Sequence, residues 1–175
     1  MKALVTYFSQ TGNTEEVARS IYDAITIEKK ITPVQAVQNA KGYDIIFCGF
    51  PVHAHSVPVK VHSFIKDIPE GQNIAFFCTH GSLRGGQLPK QAIEQAVGLA
   101  AKAIVLGDFG CRGKVSPQVL EALSKRPEHR AWAEEAQSAN GHPDAADLAD
   151  AKKFALQMIG KFTDLKLTMD SEEDD

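Results

Sequence analysis

Cysteine is scarce, and its placement excludes more than its number does. Cys48, Cys78 and Cys111 stand far apart, odd in number and without a CxxC pair. That pattern argues against structural zinc and a disulfide framework, and for a reducing compartment. Long apolar runs are missing as well: residues 45–50 and 74–78 are far too short to span a bilayer. Residues 1–8 form a strand pattern at once, with no charged, apolar, cleavable succession, so a cytoplasmic location without membrane insertion is expected. Neither GxxxxGK(S/T) nor GxGxxG occurs, and no GxSxG or HExxH asks for hydrolytic chemistry. Charge of one sign is confined to the end of the chain. The formal net charge is −3, but residues 170–175 hold five carboxylates and leave the rest slightly basic. So weakly charged a body argues against a nucleic-acid partner.

What is present is an alternation. Strand-like runs cover residues 2–8, 32–37, 44–50, 73–79 and 102–109, and the last three are nearly continuous apolar segments. That is the pattern of central strands buried on both faces. Between them, residues 14–28 place Val17, Ala18, Ile21, Ala24 and Ile25 at helical spacing, and residues 58–68, 87–101 and 143–162 do the same. The alternation predicts parallel strands joined by right-handed crossovers. The expected fold is therefore a three-layer, doubly wound α/β domain whose five-stranded sheet runs in the order 2-1-3-4-5. Residues 112–142 break the rhythm: Ser116 and Pro117 open a short helix to Leu123, and residues 128–137 form a second one carrying the single tryptophan, Trp132. They read as an elaboration of one domain spanning 1–165. Residues 166–175 read as a disordered acidic tail.

Ligands of such sheets bind beyond the carboxyl ends of the strands, so the loops there are the candidate site. The first is Ser9, Gln10, Thr11, Gly12, Asn13 and Thr14. Three hydroxyls, two amides and several backbone N–H groups converge at a helix start, where unpaired donors and the helix dipole favour an anion. No lysine or arginine lies in it, so neutral donors must carry the binding; an ordinary capped helix is the alternative. The second loop holds Pro51, Val52, His53, Ala54 and His55, and the third holds Thr79, His80, Gly81, Ser82 and Gly86. His53 and His55 have no Asp, Glu or Cys close in sequence, so they point to contacts with a ligand, and no metal is expected. His80 is a candidate for ring stacking or for proton donation. Cys48 and Cys78 read as core. Cys111, between Gly110 and Arg112 in a basic loop, is expected to have a lowered pKa, with packing its leading role. Arg84 reads equally as a solvated charge or a contact for an anionic partner. No residue is assigned to catalysis.

Ser9, Thr11, Gly12 and Thr14 fit the pattern Ser/Thr-x-Thr-Gly-x-Thr, and the chain resembles the flavodoxin family over almost its full length. The resemblance implies non-covalently bound FMN, its phosphate on the first loop and its ring between residues 51–56 and 79–82. Three departures stand out. Neither ring loop supplies Trp, Tyr or Phe, which leaves His53, His55 and His80 for ring contacts. Residues 51–58 contain no glycine, and the body is not strongly acidic. A protonated histidine by the ring and the weak body charge would make the reduced flavin easier to form than in a typical flavodoxin. By resemblance, the protein transfers electrons to or from a redox partner protein. The alternatives are an FMN-dependent reductase of a small organic acceptor, such as a quinone or conjugated pigment, and a flavin-independent interaction module.

Overall fold

The apolar runs become the middle of a parallel sheet. In the computed structural model, which describes residues 1–172, β1 (Lys2–Tyr7), β2 (Glu28–Pro33), β3 (Ile45–Pro51), β4 (Asn73–His80) and β5 (Ile104–Arg112) pair in the order β2-β1-β3-β4-β5. All four pairings are parallel, so every connection is a crossover and the sheet is covered on both faces. The expected α/β architecture and strand order are the observed ones.

Alternation along the central strands sorts two cores. Val5, Phe47 and Phe77 meet Ile21 of α1 (Asn13–Ala24) and Phe154 and Met158 of α6 (Ala145–Glu172). Leu4, Ile46 and Phe76 face the other way, toward Ile65 of α2 (Val59–Lys66) and Ala96 of α3 (Gln87–Leu99). After β5 come α4 (Pro117–Ser124), a 3-10 turn at Pro127–His129 and α5 (Arg130–Gln137). Ser116 caps α4 by accepting from the Val119 N–H, as its Ser-Pro start predicts. Among the described residues, no helix is long and apolar enough to cross a membrane.

Several boundaries differ from the sequence pattern. The second strand is residues 28–33, not 32–37, and α1 stops at Ala24 instead of 28. An edge strand needs only one buried face, so the alternating Glu28-Lys29-Lys30 run carries little apolar signal, and pairing with β1 sets its register. The fifth strand continues to Arg112, past the glycines that suggested a loop, because β4 pairs with it as far as His80. The last helix passes residue 162 and runs to Glu172. Residues 173–175 of the expected acidic tail lie outside the described residues.

Candidate functional site

The first loop opens α1 without a capping side chain. Gly12, at φ +93, occupies the cap position in a left-handed conformation that strains any other residue. Its own N–H donates to Ser9 Oγ at 3.1 Å, which curls the loop, while the Glu16 N–H returns to Gly12 O at 2.9 Å. Among the described residues no side chain caps the helix, so the first N–H groups of a twelve-residue helix face the loop at the positive end of its dipole. That meets the donor chemistry a phosphate requires. Gln10, Thr11 and Gly12 are exposed there, and Ser9 is half-buried.

Asn13 and Thr14 have structural work too. The Asn13 Nδ2 donates to the Lys114 backbone oxygen at 2.9 Å, which ties the loop to the chain just past β5. The Thr14 hydroxyl is buried and lies 2.8 Å from the Thr79 hydroxyl, joining the first loop to the end of β4. Lys60 brings a cation near: its ammonium stands 5.5 Å from the ring centroid of Phe8, the residue just before the loop. Nothing local in the sequence pairs residue 13 with 114 or 8 with 60; the crossovers do.

The second loop forms a tight turn. His53 and Ser56 exchange backbone hydrogen bonds at 3.0 and 2.9 Å, with Ala54 at φ 44 and His55 at φ 70 between them. Two positive φ angles make this the mirror-image turn that glycine or asparagine usually fills. The loop lacks glycine but adopts glycine's conformation, at a cost of roughly 1 kcal/mol per residue. Val52 is bound to Thr79 O, and Val57 to Gln95 Oε1, so both ends of the turn are held. His53 is half-buried, its ring 6.3 Å from Phe8 and edge-on, whereas His55 projects into solvent.

The third loop is gripped from behind. His80 is buried, with Nδ1 3.0 Å from Ser82 O. A carbonyl oxygen only accepts, so Nδ1 carries the proton of the neutral ring and Nε2 keeps its lone pair. Burial, then the charges of Arg112 and Arg84, hold His80 below the ordinary imidazole range despite that hydrogen bond. Burial lowers His53 in the same way. The expectation of a protonated histidine beside the ring is therefore corrected for these two: near neutral pH both are uncharged. Thr79, Gly81 and Ser82 are buried as well, and Gly86 is half-buried. Beyond them, on the β5 side, a groove of ≈ 570 Å³ runs past His80, Gly86, Pro89, Ile93 and Asp108.

The residues that grip this loop come from the 112–142 segment. Trp132 Nε1 donates to Ser82 Oγ at 3.0 Å, the Leu83 N–H donates to Glu135 Oε1 at 2.7 Å, and Arg112 reaches both Gly81 O and Ser82 O at 3.2 Å. Arg84 pairs with Asp147 at 3.0 Å and Asp150 at 2.9 Å, so this half-exposed charge is anchored to α6. Cys111 is also corrected: it is a fully buried strand residue, and burial pushes its thiol up, the reverse of an activated thiol. His142, Asp144 and Asp147 gather ligand-type atoms within 4.8 Å, yet Asp147 accepts from His142 Nδ1 (2.5 Å), Asp144 N (3.0 Å) and Arg84, and Asp144 caps α6. These contacts make the cluster a helix-start network.

A family model described as Flavodoxin domain matches residues 4–156. The flavodoxin-like domain-containing protein BilS of Clostridioides difficile (strain CD3) is 31% identical over 173 residues, which cover 92% of this chain and 98% of that protein. Among solved structures, a flavodoxin from the domain Archaea aligns with a TM-score of 0.62 at 18% identity, covering 93% of this chain and 99% of that one. A flavoprotein from Lactobacillus acidophilus NCFM, solved in complex with FMN, aligns at TM-score 0.52 and 18% identity over 62% of this chain and 92% of its own. At such identities the two structures speak for the fold alone.

Proposed function

The chain belongs to the flavodoxin family, and on that premise we propose that it binds FMN and passes electrons to or from a protein partner in the cytoplasm. The uncapped start of α1 behind Gly12 carries this reading, since its donors suit a phosphate and, among the described residues, no side chain caps them. Ser9, Thr11 and the backbone N–H groups of Thr11, Asn13 and Thr14 hold the phosphate. The second and third loops border the ring, and the Thr14–Thr79 hydrogen bond keeps the phosphate loop and the β4 end in register. In place of an aromatic cover these loops carry His53, His55 and His80, the first and last as neutral groups. When bound, FMN supplies the electron-accepting ring; the chain supplies its orientation and surroundings.

A reductase of a small organic acceptor is the second reading. The groove beside His80 and the lack of aromatic residues in the ring loops favour it, because both leave room for a small molecule. Titration of the apo-chain with FMN, followed by quenching of flavin fluorescence, tests the common part. The wild type should bind stoichiometrically, and Gly12→Val should weaken binding at least tenfold. A wild type that leaves FMN fluorescence unchanged would overturn both readings. Steady turnover of NAD(P)H with a quinone would select the reductase, whereas electron exchange only with a protein would select the carrier.

A further inference from the structure

Arg112 ends β5 with only 9% of its surface exposed, and it forms no ion pair among the described residues. Its guanidinium instead makes five hydrogen bonds to uncharged oxygens. Nε donates to Ser82 O at 3.2 Å and Nη2 to Gly81 O at 3.2 Å, both in the third loop. Nη2 also donates to Glu135 O at 3.1 Å and Ser138 Oγ at 2.8 Å, and Nη1 to Ser138 O at 3.2 Å, at the carbonyl end of α5. The nearby carboxylates are engaged elsewhere: Glu135 with the Leu83 N–H, Asp147 and Asp150 with Arg84. His80, the other titratable group of this loop, is held neutral near pH 7 by its burial.

Two consequences follow. Burying an unpaired cation is a costly way to join two stretches of backbone, and the charge it leaves acts in a medium that screens it poorly. The carbonyl and N–H of a trans peptide also point in opposite directions. With Gly81 O turned toward the guanidinium, the Ser82 N–H points away from Arg112, polarised by the hydrogen bond behind it.

Resting on the FMN reading above, we propose that Arg112 is a positioning residue that fixes the third loop and biases the bound FMN toward its reduced form. Reduction adds negative charge to the flavin, and a fixed buried cation with an oriented N–H favours the more negative form without reorganising. The positive influence expected of a histidine thus comes from a buried guanidinium.

The test compares wild type with Arg112→Gln and Arg112→Met, which remove the charge, Arg112→Lys, which keeps it, and Ser138→Ala, which weakens the clamp alone. Affinity for oxidised FMN is measured by fluorescence quenching, and the midpoint potential by anaerobic titration against reference dyes. Amide exchange of residues 81–83 is followed in the apo-chain. The neutral variants should lose at least tenfold in preference for reduced over oxidised FMN, whereas Arg112→Lys and Ser138→Ala should stay within about threefold of wild type. Exchange at residues 81–83 should quicken in all the Arg112 variants. A neutral variant that binds FMN with the wild-type potential overturns the proposal. Should neither neutral variant fold, Arg112→Lys decides: a tenfold loss of preference with the charge retained overturns it too. A wild type that takes up no FMN defeats the function proposed above and this inference together, whereas a loaded chain indifferent to residue 112 defeats this inference alone.

Discussion

Cys111 lies fully buried beneath the end of β5, among Cys78 and the Asp147 network. Forming a thiolate there means placing a charge where water does not reach it, and burial pushes the thiol well above its ordinary range. Arg112, next to it in sequence, directs its guanidinium at carbonyl oxygens of the third loop and α5. Cys48 is raised likewise, and Cys78 is pushed up to about 12. All three thiols should therefore resist Ellman's reagent in the folded chain near neutral pH and react together in guanidinium chloride. The colour released with and without denaturant measures this. Rapid labelling of one thiol in the native chain would contradict the burial. A neighbour in sequence tells which charges are near along the chain, not which way side chains point.

Two glycines separate the demands of different elements. A Cβ on Gly81 would lie 2.5 Å from Val115 Cγ2, 3.2 Å from Trp132 Cζ2 and 3.3 Å from Ala136 Cβ. The third loop can press this closely on α5 only because that position is bare. Gly81→Ala should destabilise by roughly 1–3 kcal/mol and weaken FMN binding with it. Gly98, inside α3, has nothing within 4 Å of its added Cβ, so Gly98→Ala should stabilise by roughly 0.5–1 kcal/mol. Urea denaturation midpoints give both values, and similar shifts for the two would refute the close packing. Sequence marks both residues simply as glycine, because contacts between residues 81, 115 and 132 exist only after the segment has folded back. Helix-start and breaker residues marked the two helices of that segment and placed Trp132 in one, but not the loop they grip.

At the scale of the molecule, Asp147 is the junction where the third loop, the end of the 112–142 segment and the start of α6 meet. Its side chain is 5% exposed and accepts from Arg84, His142 and the Asp144 N–H. Burial alone would raise its pKa, but these bonds outweigh it and hold the carboxyl below the usual range. A carboxyl lowered on folding contributes stability above its unfolded pKa, near ~4, and loses it as pH falls through the folded value. Asp147→Asn should thus unfold at a lower temperature than wild type near neutral pH, with the gap closing as the pH falls below ~4. Thermal melts across that range check the sign, and a gap that widens in acid would refute it.

The sequence by itself determined the α/β class, the strand order and the hydroxyl-rich loop that opens α1. Each of these is written in local chemistry: apolar runs for strands buried on both faces, helical spacing between them, and six consecutive residues at one helix start. Tertiary structure alone decided the register of the edge strand, the burial of His80 and Cys111, and the assembly of Lys60, Lys114, Trp132 and Arg112 around the loops. Those depend on pairs separated by tens of residues, whose meeting is set by crossovers and packing and leaves no mark on either partner. The chain therefore spells out a helix start with free backbone donors, while the charges around the three loops are settled by the fold.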